Sequence, residues 1–227
     1  MQTDMTVGKP MKMLLNFTIP VFLGNVFQQL YSMADAVIVG KFVGTKGLAA
    51  VGATGTITFL IIGFLMGVTT GVTVLTSQKF GAGRMDEMRK TVGNAAILSA
   101  VIAVVMTAVS MLGMHRLLVF MHTPEDIFDG AYGYIMIICA GIFTQVLYNL
   151  VSSILRALGN SKTPLYFLIL AAGLNIVLDL VFIIFFHWGA PGAAWATVIS
   201  QGVSGVLCLI YMWKAVPELK MKKEDWY

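Results

Sequence analysis

Charge is scarce in this chain. Asp, Glu, Lys and Arg make up only 11% of its 227 residues, whereas a soluble domain carries about 25%. Hydrophobic residues reach 58%, and the mean hydropathy is +0.84. These values exclude a single water-soluble core. Cysteine is nearly absent as well, with only Cys139 and Cys208. Neither has CxxC spacing or a nearby histidine, so both read as small apolar packing residues. The histidines His115, His122 and His187 show no metal-ligand spacing and read as interfacial residues at span ends. No GK[ST] follows the glycines of Phe80-Gly81-Ala82-Gly83-Arg84. That stretch reads as a tight turn, not a phosphate loop.

What the chain has is long apolar runs. They cover about 12–39, 48–76, 92–114, 131–155, 165–186 and 192–213. Each suffices for a helical span of ~20 residues. The fold class expected is an all-α membrane protein, a six-helix transmembrane bundle over 1–214 with a tail at 215–227. The first run is too long for a signal peptide and reads as a retained span. In the second, Gly63, Gly67 and Gly71 fall four apart and predict a smooth strip for helix packing.

Lysine and arginine set an orientation. Alternate loops give one side Lys9, Lys12, Lys79, Arg84, Arg89, Lys90, Arg156, Lys162, Lys214, Lys220, Lys222 and Lys223. The other side has only Lys41, Lys46 and Arg116. Twelve against three is a strong positive-inside bias. It predicts a multi-pass cell-membrane protein with both termini cytoplasmic. The net charge of +4 follows from that bias and calls for no nucleic-acid partner.

Asp35 and Asp179 break the apolar pattern, while the other nine carboxylates fall in tails and loops. An ionisable group in a span costs roughly 2.5–3.5 kcal/mol on insertion scales and marks a functional site by default. Asp179 comes some seven residues before its span exits, roughly 10 Å below the outer surface at 1.5 Å per residue. Asp35 is a few residues from the outer end of the first span, so the two share a level. Each has polar company on one helix face: Asn175 four residues before Asp179, Gln28 seven before Asp35, and Tyr31 between Gln28 and Asp35. The sixth span adds Thr197, Ser200 and Gln201. Lone polar residues of this kind often only bond a neighbouring helix. Two carboxylates are a costly staple, however, and no Lys or Arg lies at their level. Such a pair must take up a proton or a cation, or stay hydrated. Pro20 inside the first span predicts a bend, or a hinge coupled to Asp35.

These residues fall in a familiar order: Pro20, Asp35, Val39-Gly40, Gly47-Leu48-Ala49-Ala50-Val51-Gly52, and Ser77-Gln78-Lys79-Phe80-Gly81-Ala82-Gly83. Then come Leu155-Arg156-Ala157-Leu158-Gly159-Asn160-Ser161-Lys162-Thr163-Pro164, Asn175, Asp179 and Gly192-Ala193-Ala194-Trp195-Ala196-Thr197. From Pro10 to Trp213 the chain resembles the amino-terminal lobe of the multidrug and toxic compound extrusion (MATE) transporters.

The resemblance implies an antiporter that exports organic, often cationic, drugs or toxins in exchange for protons or sodium ions. It carries no cofactor beyond the coupling ion. It implies an ion-coupling site at Gln28, Asp35, Asn175, Asp179 and Thr197. Tyr31 matches a pocket-lining position, and Ser200 and Gln201 stand with it as substrate-pocket candidates. Sodium, as coupling ion, would meet Asp35, Asn175 and Asp179. The family has two six-helix lobes, so the tail looks like the start of an inter-lobe linker. The chain is then a fragment, a truncated product, or a half that pairs with itself or with a second lobe.

Three other readings stand beside this one. A flippase of lipid-linked sugars or an exporter of polysaccharide would want basic residues in its cavity. The chain has none at mid-depth of a span, which disfavours an anionic cargo. A non-transporting partner half-module is the blander option. An enzyme reading fails: Gly202-Val203-Ser204-Gly205 fits the GxSG of rhomboid proteases, but no His follows Ser204 to act as base.

Overall fold

The computed structural model describes residues 10–216 and 219. The tail expected from 215 onward lies outside the described residues apart from 215, 216 and 219. Seven α-helices follow in order: α1 Pro10–Phe42, α2 Thr45–Gly81, α3 Met85–Phe120, α4 Glu125–Ala140, α5 Ile142–Ala157, α6 Lys162–Leu180 and α7 Gly189–Ala215. A π-helical turn, Val181–Phe185, sits between α6 and α7. Among the described residues there is no strand.

Five of the helices are long and apolar enough to cross a membrane alone. Helices α4 and α5 make a sixth crossing together, bent by 46° at the break between them. The expected fourth span is therefore two helices. The break falls at Gly141, where α7 comes so close that a Cβ would collide with the Val198 side chain. The Gly141 carbonyl starts α5: it accepts the Thr144 hydroxyl at 2.8 Å together with the backbone N–H groups of Thr144 and Gln145.

The helices also run past the apolar stretches. α3 has 36 residues, roughly 54 Å at 1.5 Å per residue, so its ends stand in water. There the charges gather: Lys79 and Arg89 pair with Glu87 and Asp86 beside the α2–α3 turn. At the opposite end Lys46 meets Asp126 at 3.5 Å. Asn160 Oδ1 accepts the Thr163 backbone N–H at 3.1 Å and caps the start of α6.

The large apolar side chains that water would expel are on the outside. Leu14, Phe22, Leu30, Phe59, Leu112 and Phe185 are among many exposed ones, as a hydrocarbon solvent allows. Inside, two apolar clusters stack along the bundle. One centres on α4 and the first half of α7, with Ile135, Ile138, Ile142 and Ala193. The other centres on α5 toward the basic end, with Met88, Ile154, Leu155 and Leu158. Thr54, Thr58, Thr69, Thr70 and Thr73 of α2 hide their hydroxyls on their own helix, as Thr69 does on the Leu65 carbonyl at 3.1 Å.

The strip Gly63, Gly67, Gly71 does not pack as expected. All three are exposed, and nothing lies within 4 Å of where their Cβ atoms would be. The buried face of α2 is instead the row Ala50, Thr54, Ile57, Ile61, Leu65, Thr69, Val72 and Thr76, which turns the glycines away from the bundle.

Candidate ion-coupling site and cleft

Helix α1 packs along α6, and α6 along α7. That order brings the expected residues together. Asp35 on α1 and Asp179 in the last turn of α6 are immediate neighbours, each within the field and reach of the other's carboxyl group. Asp179 is completely buried and Asp35 is 8% exposed. Beyond each other they have little company. Asp35 Oδ1, both oxygens of Asp179 and Asn175 Oδ1 are buried with no hydrogen-bond donor. None of the ion pairs among the described residues includes either acid.

Four orphaned acceptor oxygens in one place state a need. Buried acceptors without donors cost about 1–3 kcal/mol each, and a proton or a metal cation satisfies them. The donor set is all oxygen, which suits a hard cation. Among the described residues no three His, Cys, Asp or Glu side chains converge. A metal here would therefore rely on neutral oxygens as well as the two acids.

The other expected residues fall around the pair. The Asn175 amide donates to the Thr197 hydroxyl at 3.3 Å, which leaves its carbonyl oxygen free. The Gln201 amide donates to the Tyr31 hydroxyl at 3.3 Å. Tyr31 also has Gln28 and Ser32 beside it and lies in the field of Asp35. Ser200 is buried but spends its proton on the Thr197 carbonyl of its own helix at 3.0 Å. Directly after Asp179 the backbone widens into the π-helical turn, whose Phe182 stacks on Trp188 at 5.1 Å. Such turns recur at functional sites.

One member of the cluster was missed in the sequence. Tyr134 on α4 is 8% exposed and lies in the fields of Asp35, Tyr31 and Asp179. Nothing in its own run marks it, because a tyrosine among isoleucines reads as one more core aromatic. The signal would have been its level in the fourth span.

Below the acids a cleft opens along α1, α5, α6 and α7. Its wall carries Pro20, Gln28, Tyr31, Gln145, Ser200 and Gln201. Pro20 is thus buried at the cleft's far end from Asp35, within an unbroken α1. Arg156 lines the same cleft from its basic end, so a basic side chain reaches the wall although none starts at mid-depth of a span. Its position near the basic end of α5 hid this, since a long side chain reaches back along its helix.

The chain matches the MatE family over residues 20–181. It is 33% identical over 211 residues to the probable multidrug resistance protein YpnP of Bacillus subtilis, covering 93% of this chain and 47% of that protein. It is 28% identical over 204 residues to the probable multidrug resistance protein NorM of Thermotoga maritima, covering 88% and 44%. It superposes on a MOP superfamily transporter from Pyrococcus furiosus with a TM-score of 0.91 at 28% identity, covering 97% of this chain and 49% of that one. An outward-facing multidrug resistance MATE transporter matches equally well, at 0.91. The chain spans about half the length of the relatives it matches. The family is one of transporters, not enzymes, as the failure of the rhomboid reading at Ser204 leads one to expect. This chain belongs to the MatE family, the multidrug and toxic compound extrusion transporters, and corresponds to one six-span lobe.

Proposed function

We propose that the chain is the ion-coupling lobe of a secondary antiporter that exports organic, cationic compounds in exchange for protons or sodium ions. The observation that carries this is the Asp35–Asp179 pair, buried together with orphaned oxygens and no cation of the protein beside it. In this reading the ion occupies Asp35, Asp179, Asn175 and Thr197, with Gln28 and Tyr134 completing the wall. Its arrival removes the repulsion between the acids. The part of α1 beyond Pro20 then settles against α6, and the cleft below changes shape. Tyr31, Gln201 and Ser200 line the path of the cargo. The lobe works against a second six-helix lobe, supplied by further chain or by a partner, because alternating access needs two bundles that rock. The protein sits in the cell membrane with its basic face and both termini in the cytoplasm.

The flippase alternative would place several basic residues in the cleft, and Arg156 alone does so among the described residues. A non-transporting half-module would have no use for an unpaired acid dyad. The deciding experiment is ethidium efflux from cells carrying the protein with its second lobe. Asp35→Asn and Asp179→Asn should each abolish it while the protein still reaches the membrane. Undiminished efflux in both variants would sink the reading.

A further inference from the structure

Among the described residues, the cleft below the acids has one charged side chain in its wall. Arg156 lines the cleft below the acids and also a second cavity of about 220 Å³ walled by Thr70, Thr73, Asn149 and Ser153. The two cavities meet at Met66, Asn149 and Arg156. The guanidinium is partly buried. Its Nε donates to the Ser152 carbonyl at 3.2 Å, one of five N–H donors that the group carries. No ion pair of the described residues includes it. Its titratable neighbours are Tyr148 and Cys208, and neither side chain carries charge at neutral pH in ordinary surroundings.

Among the described residues Arg156 meets no counter-charge, and only one of its N–H donors has an acceptor. Surface arginines explain nothing here, since this one opens on two cavities instead of water alone. From Gln145 to Arg156 the cleft wall runs along eleven residues of α5, roughly 16 Å. The guanidinium thus stands at the basic end of the cleft, while the paired carboxylates lie above its other end and outside its wall. A planar fork of donors matches a carboxylate or phosphate better than any other common group.

We propose that Arg156, with Asn149 and Ser153, binds the anionic group of the cargo, a carboxylate or phosphate monoester, at the basic end of the cleft. The idea rests on the transport reading only for the word cargo. Its test is therefore equilibrium binding, which can fail or succeed whatever efflux does.

The probes are riboflavin and riboflavin 5′-phosphate, a fluorescent pair that differs by one phosphate monoester. They are titrated into the purified full chain in a neutral maltoside detergent. The phosphate ester should bind about tenfold tighter, the order expected of a charge-assisted bidentate contact. In Arg156→Gln that preference should vanish with riboflavin affinity unchanged, which also reports that the variant is folded. Arg156→Lys should keep part of it. Lys162→Gln, an exposed lysine on the same side, should keep all of it. Equal affinities in the unaltered chain overturn the proposal, with no variant needed. A preference that survives Arg156→Gln, or that disappears equally in Lys162→Gln, overturns it too. Competition then names the source. Displacement of the ester by inorganic phosphate marks a soluble cargo, and displacement by dihexanoyl phosphatidate alone marks a lipid headgroup. Both confirm an oxyanion site.

Discussion

Asp35 and Asp179 come from helices separated by most of the chain, yet their carboxyl groups adjoin in a pocket that gives them no donors. One helix could not hold such a pair, because each acid needs a partner at its own level on the other. The packing of α1 against α6 supplies it. Removing one acid while keeping its shape should relieve the strain of two facing acceptors. Asp179→Asn should therefore raise the thermal midpoint of the purified chain. The gain should be about 1–3 kcal/mol, the cost of a buried polar group left unpaired. A midpoint that falls would mean that the two carboxyl groups hold each other in place through a shared proton.

The identity of the coupling ion should be separable at Thr197. A proton needs only the acids, whereas sodium needs neutral oxygens as well. Thr197→Val keeps the size and removes the hydroxyl that now accepts from Asn175 at 3.3 Å. Efflux from proteoliposomes of the two-lobe protein driven by a pH gradient should survive this change. Efflux driven by a sodium gradient should fall about tenfold, the order of a lost ligand contact. Equal losses under both gradients would remove Thr197 from the ligand set and leave it as a helix staple.

Much of this site was legible in the sequence, because the bilayer makes depth readable. A 1.5 Å rise and a known span end put Asp35 and Asp179 at one level before any packing was known. The four-residue spacing of Asn175 and Asp179 put both on one face. What could not be read was which face of each helix turns inward. The moment that reveals it in water is nearly absent where lipid and core are both apolar. For that reason the Gly63, Gly67, Gly71 strip reads as an interface that the bundle does not form, whereas Tyr134 escapes notice because a tyrosine among isoleucines reads as one more core aromatic. The break at Gly141 was missed for another. Both halves of that span are equally apolar, and only the nearness of Val198 distinguishes this glycine from any other.

Not every charge in the structure should matter. Lys46 and Asp126 are 71% and 56% exposed at 3.5 Å. An exposed pair contributes about 0–1 kcal/mol after side-chain entropy and screening. Lys46→Ala should leave both the thermal midpoint and efflux within error of the unaltered protein. It serves as the control for the substitutions at Asp35 and Asp179. A loss of efflux in Lys46→Ala would point to a role for that face in cargo release.

The bend between α4 and α5 offers the sharpest packing test. Gly141 has no room for a Cβ against Val198 on α7, so Gly141→Ala must push the two helices apart or force Val198 off its rotamer. Overpacking of this kind costs about 1–3 kcal/mol. The same shift would carry Gln145 and the start of the cleft wall with it, since Gln145 sits one turn further along α5. Shortening the opposing side chain should undo both effects. The double substitution Gly141→Ala with Val198→Ala is expected to recover most of the stability lost by Gly141→Ala alone, measured as thermal midpoints in detergent. The two changes are in contact and should couple by about 0.5–3 kcal/mol instead of adding. Simple additivity would show that the break is set by the chain around Gly141, and not by the approach of α7.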